Sequence, residues 1–274
     1  MLGKLLKHEF RATGRTMLPV LGVLAALVLL ANVSAHLLDA DLGAFLTILS
    51  GLLILLTVIA VVAAEIMPVV MMVQRFYRNL LGNEGYLMHT LPVNVHGLVW
   101  SKLIVSTVWL LGTNLVIFLL GGFSLLHLTE MSLAELLRGF PSLAQIHEML
   151  AMAGISGGDV VLVLVELALS VVLVQLAVCL HFYAAMSLGH MFTNRKGLWS
   201  VVIFVALSYL MSAFTTFLGH VQIPYLESLD LSTAAQSLRF VQAILGEGLG
   251  VTLLEGALFY VATVLGLKKG LNLA

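Results

Sequence analysis

Charge is the scarcest property of this sequence. Only 10% of its 274 residues are Asp, Glu, Lys or Arg, against about 25% in an average soluble domain. The 13 basic residues are balanced by 14 acidic ones, which leaves no basic face to grip nucleic-acid phosphates and excludes a highly charged, disordered chain. Cysteine is almost absent. The single Cys179 excludes a disulfide framework, and its apolar surroundings mark it as a small buried hydrophobe rather than a redox or ligand residue. What fills the chain instead is apolar: 61% of residues are hydrophobic and the mean hydropathy is +1.09. Soluble domains interrupt their apolar stretches with charge every few residues, and this sequence does not.

Crossing a hydrocarbon core of ~30 Å takes about 20 apolar residues in a helix, and only helices or closed barrels satisfy their backbone there. The long runs exclude the barrel. Six runs qualify: Met17 to Leu38, Ala44 to Val73, Leu103 to Leu126, Val160 to Leu188, Leu198 to Leu218 and Leu249 to Leu267. The expected fold is all-α, a polytopic membrane protein in which six transmembrane helices form a single transmembrane domain over residues 1–274. The second run exceeds what a bilayer needs, so it should tilt or project as a stalk, with Pro68 able to kink it.

Lys and Arg near span ends are retained in the cytoplasm. Eleven of the 13 basic residues fall on one side: four ahead of the first span, three in the segment 74–102, two between spans four and five, and Lys268 and Lys269 after the last. Only Arg138 and Arg239 fall opposite, in the segments 127–159 and 219–248, and nine of the 14 acids collect on that side, Asp39 and Asp41 between the first two spans among them. Both termini are therefore expected in the cytoplasm, with no cleavable signal peptide.

Residues 1–15 read as an amphipathic interfacial helix preceding the spans. Leu2, Leu5, Leu6 and Phe10 form one stripe, with Lys4, Lys7, Arg11 and Arg15 off it. Such a helix anchors topology or touches a cytoplasmic partner. On the outer side, Ser132 and Glu135 have capping-box spacing, Gly139 can end that helix and Pro141 can open another running to Gly154. Residues 231–245 suggest a further outer helix, before glycines 246, 248 and 250.

The inner segment 74–102 is more informative. Asn83 can cap a short helix starting at Glu84, Pro92 ends it, and Asn94 can cap the helix leading into span three. That short cytoplasmic helix shows Tyr86, Leu87 and Leu91, which either pack against the stalks or fill a partner's groove.

Here the residues resemble the permease subunits of type 2 ABC exporters, in their short six-span bacterial form. The resemblance rests on the opening Met1-Leu-Gly-Lys-Leu-Leu-Lys-His-Glu-Phe-Arg11, on Glu84-Gly-Tyr-Leu followed by Leu91-Pro92-Val93, and on Ser101-Lys102 leading span three. It implies a half-transporter pairing with a second permease, the same chain or a paralogue, and with a cytoplasmic ABC ATPase dimer. The segment Glu84, Tyr86, Leu87, Leu91 and Pro92 would be the coupling helix, and Lys4, Lys7, Phe10 and Arg11 would belong to the connecting helix. ATP and Mg would sit on the partner, since this chain carries no P-loop: its one Gly-Lys pair, Gly3-Lys4, is followed by Leu5. The external segments lack a large extracellular domain, so the substrate is defined only as amphipathic or apolar: a peptide, an antibiotic or a lipid.

Enzyme motifs are weak. Gly154-Ile-Ser156-Gly-Gly158 matches Gly-x-Ser-x-Gly but joins an outer helix to span four rather than forming a strand-to-helix elbow. His147-Glu148 lacks the second His of a zinc helix, and the other histidines are dispersed. Three acids interrupt the apolar runs. All three are candidates for a gate or pathway: Glu166 and Glu255 are about equally deep from the outer side, while Glu65, near the inner end of span two, can also be read as a snorkelling or paired residue. Two further classes follow from these features: a proton-coupled secondary transporter using those glutamates, and a membrane scaffold or sensor that moves nothing.

Overall fold

The computed structural model describes residues 2–39, 44–82, 84–85, 93–129, 131–227 and 231–269. Among these residues there are no strands. The order is α1 (Leu2–Asp39), α2 (Ala44–Phe76), a π turn (Tyr77–Leu81), α3 (Val95–Leu128), α4 (Leu133–Gly139), α5 (Leu143–Met152), α6 (Gly157–Gly189), α7 (Lys196–Glu227) and α8 (Ala234–Lys269). Six of these helices are long and apolar enough to cross a membrane. They leave bulky apolar side chains on the surface, Phe45 and Phe118 among them at 77% and 76% exposed. Water would not tolerate such a surface, and a bilayer favours it. The chain is a multi-pass, all-helical membrane protein.

Helix bounds depart from the expectation in two places. Residues 2–15 do not form a separate element, because Leu2–Asp39 is one uninterrupted helix. Its buried positions Glu9, Thr13 and Met17, then Leu24, Val28 and Asn32, recur every four residues, so one packing stripe continues from the basic stretch into the apolar one. The expected outer helix at 231–245 and the sixth span likewise fuse into α8. Glycines 246, 248 and 250 do not break it: an added Cβ at each would meet nothing within 4 Å. Each costs only about 1 kcal/mol in a helix, which a helix of 36 residues carries.

The chain divides into two compact units, residues 1–74 with 104–140, and residues 75–103 with 141–274. In the first, α2 returns antiparallel to α1, tied by Thr57 Oγ1 donating to the Leu27 carbonyl (3.2 Å) and Ser50 Oγ to the Ser34 carbonyl (3.2 Å). The body of α3 runs parallel to α1. Trp109 Nε1 donates to Thr13 Oγ1 (2.8 Å) at one end and Asn32 Nδ2 donates to Ser124 Oγ (2.8 Å) at the other. Leu24, Val28 and Ala64 form the core between these helices, with Ile117 and Leu120 against it. Polar side chains pin the bundle at intervals because apolar packing alone gains little inside lipid.

In the second unit, α6 and α8 run parallel and α7 antiparallel. Gln242 Nε2 donates to the Asp159 carbonyl (3.3 Å) where α6 starts, and Gly266 lies against Ser187 where α6 ends. Ser142 and Ser156 cap α5 and α6 with reciprocal bonds to Gln145 and Asp159, and Ser132 does the same for α4 with Glu135. Gly154 takes φ +67° to turn the chain between α5 and α6, a conformation that costs a residue with a Cβ about 1 kcal/mol or more.

Candidate functional site

Two polar constellations stand out in the second unit. The first closes α2. Phe76 is fully buried and stacks on Tyr183 of α6 with centroids 4.1 Å apart and planes 11° from parallel. Tyr77 meets the edge of His190 at 5.2 Å. From Tyr77 onward the helix widens into the π turn, which stops at Gly82, whose N–H donates to the Tyr77 carbonyl (2.7 Å). A Cβ on Gly82 would crowd the carbonyls of Tyr77 and Arg78 at 3.3 Å.

The wider turn presents Arg78 and Asn79 to the next segment. Arg78 Nη2 pairs with Glu84 Oε1 at 3.2 Å. With the Asn79 amide oriented as its neighbours require, its nitrogen donates to Glu84 Oε2 (3.0 Å) and its oxygen accepts from Lys102 Nζ (2.6 Å). Lys102, only 3% exposed, thus joins the start of α3 to the end of α2 through one amide. His190, buried beside this knot, is held below the usual imidazole range, chiefly by burial. The Met186 carbonyl that it contacts (3.2 Å) opposes that shift and the nearby Lys196 adds to it. Neutral His190 therefore donates to the carbonyl from Nδ1–H.

The second constellation lies among α6, α7 and α8. His181 Nε2 is 3.2 Å from the Phe204 carbonyl and 3.2 Å from Ser208 Oγ, and its Nδ1 is 3.9 Å from Glu255 Oε1. Phe204 and Phe259 flank its ring at 4.6 and 4.7 Å. A carbonyl only accepts, so Nε2 carries a proton and Nδ1 is the nitrogen left facing the acid. His181 escaped the sequence reading. Its signal there was its place, the one histidine in the middle of an apolar run.

The predicted residues fall as follows. Glu84 belongs to the knot. Tyr86, Leu87, Leu91 and Pro92, with the capping Asn83, lie outside the described residues. Lys4, Lys7 and Arg11 are exposed and Phe10 is half-buried on α1. Glu65 is half-buried on α2. Glu166 is half-buried on α6, with its Oε2 enclosed and without a hydrogen-bond partner. Glu166 and Glu255 do not share a level: Glu255 faces His181, fifteen residues beyond Glu166 on α6 and so ~22 Å further along that helix. The equal depth assigned from sequence assumed that the sixth span starts near 249, whereas α8 starts at Ala234. Ser156 caps α6, its Oγ accepting from Asp159 N–H (3.2 Å). Among the described residues no three His, Cys, Asp or Glu side chains gather to hold a metal. No protein-family model, curated protein or solved structure matches the chain.

Proposed function

We propose that this chain is the permease subunit of an ATP-driven exporter, working with a second permease and with a cytoplasmic ABC ATPase dimer that holds ATP and Mg. The cargo is an amphipathic or apolar peptide, antibiotic or lipid. One observation carries this reading above others: the knot of Arg78, Asn79, Glu84 and Lys102. A subunit that receives force from a soluble motor needs its inner loop braced to its helices. Here the loop's two roots are tied to each other, and Phe76 and Tyr77 seat one of them on α6. The exposed Lys4, Lys7 and Arg11 offer a second cationic surface to the same partner. Both termini are assigned to the cytoplasm on the distribution of Lys and Arg.

The test is purification of the native complex. An ATP-hydrolysing subunit should accompany the chain, and Leu87→Asp should release or uncouple it while all six spans still insert. Recovery of the chain without any ATPase would overturn the reading.

The His181–Glu255 pair favours a second reading, a proton-coupled secondary transporter in which Glu255 exchanges a proton with His181 Nδ1. Transport in proteoliposomes driven by a pH gradient without nucleotide would establish it.

A further inference from the structure

We propose that the second unit holds one anionic phospholipid in the groove between α6 and α8, its acidic headgroup on Lys268 and Tyr260. This site is independent of the transport reading. The groove has a volume of about 260 Å³ and is walled by Leu103, Leu173, Leu176 and Leu253. Ala177, Gly256 and Ala257 floor it, and even a methyl group on Gly256 would come no nearer than 3.9 Å to Leu180. That is below the ~300 Å³ where pockets for drug-sized ligands begin, enough for part of one acyl chain. From Thr252 to Tyr260 it follows α8 for eight residues, ~12 Å.

The polar end is built for an anion. Trp100 and Tyr260 lie together there, ring centroids 5.8 Å apart, the residue types that settle at headgroup level. His96 links the cation to the phenol: Lys268 Nζ lies 3.3 Å from its Nε2 and Tyr260 Oη 2.7 Å from its Nδ1. An ammonium only donates, so Nε2 accepts, Nδ1 carries the proton, and Tyr260 Oη receives it. The phenolic proton and two ammonium protons are thereby left for an acidic oxygen. Lys269 adds a second exposed cation. The nearest acids in sequence are engaged elsewhere: Glu255, next to Gly256, faces His181 at 3.9 Å, and Glu84 pairs with Arg78 at 3.2 Å. Apolar wall, interfacial aromatics and exposed positive charge match one leaflet lipid with an anionic head.

The experiment is native mass spectrometry of the intact chain released from nanodiscs, titrated with palmitoyl-oleoyl phosphatidylglycerol and with the phosphatidylcholine of the same chains. The wild type should retain one phosphatidylglycerol in preference to phosphatidylcholine. Lys268→Gln should weaken that retention about fivefold, the worth of one basic residue at a lipid surface, and Ala257→Phe should abolish it by filling the groove. Tyr260→Phe should give a smaller loss. Equal affinity of the wild type for the two lipids overturns the proposal, a result that needs no variant to fold. So does unchanged retention in both Lys268→Gln and Ala257→Phe, or a crosslink between two copies through Leu253→Cys, which would mean that a second chain covers the groove.

Discussion

Gly266 rests on Ser187 so closely that a methyl group added to it would lie 2.9 Å from the serine Cβ and 3.0 Å from its carbonyl carbon. This contact sets the crossing of α6 and α8, since small residues are what let parallel helices approach inside lipid. Gly266→Ala should therefore force the helices apart and cost about 1–3 kcal/mol. Gly250→Ala, where an added Cβ meets nothing, should be neutral or stabilise by about 0.4–1 kcal/mol. Thermal midpoints of the two detergent-purified variants check this. A Gly266→Ala midpoint equal to wild type would show that the crossing is set elsewhere.

His190 gives the protein an acid limit. Its pKa is lowered on folding by burial, so below the ordinary imidazole value of about 6.5 the unfolded chain takes up a proton that the folded chain refuses. Stability should hold above that pH and decline as pH falls toward the lowered folded value. His190→Gln keeps a donor for Met186 and removes the titration, so its thermal midpoint should vary less as pH falls below about 6.5.

The His181–Glu255 pair should be separable from architecture. Glu255→Gln removes the acid and keeps the volume, so the protein should insert and remain folded, whereas substrate movement in proteoliposomes should lose its pH dependence if the pair shares a transferable proton. Glu166→Gln, without a facing histidine, should leave that dependence as it is. Identical pH profiles for both variants and the wild type would confine the pair to packing.

Charge distribution makes a sided prediction. Cysteine labels at Ser132 and Ser237 should react with an impermeant maleimide from outside intact cells, and labels at Asn83 and Asn194 only after the membrane is opened. Outside labelling at Asn83 would invert the protein and place the knot of Arg78 and Glu84 on the wrong face for any ATPase.

The spans were legible in the sequence because hydropathy acts over windows of about twenty residues, and the caps at Ser132 and Glu135 because their spacing is local. Helix ends were legible only where a proline or capping residue stood. Glycines 246, 248 and 250 pointed to a loop by propensity, yet α8 runs on through them from Ala234 to Lys269, and the depth assigned to Glu255 from a start near 249 did not hold. The partners of Lys102 and His181 were not legible. Each comes from a segment far away in the chain, and no local period records which helix will lie alongside. The π turn was equally hidden, since Tyr77-Arg-Asn-Leu-Leu81 reads as ordinary helix.

That π turn restricts how the gene can change length. A π turn holds one residue more than an α turn, so deleting any one residue of the five could rewind Tyr77–Leu81 without breaking the helix. Side chains beyond the deletion would keep roughly their angle around the axis, because four residues of an α turn sweep nearly the arc that five residues of a π turn do. Phe76 would stay on Tyr183, but loss of Arg78 or Asn79 would remove one of the two side chains that reach Glu84. A single-residue deletion here should thus cost the knot and spare the spans, which makes the extra residue of the turn a part of the site rather than of the scaffold.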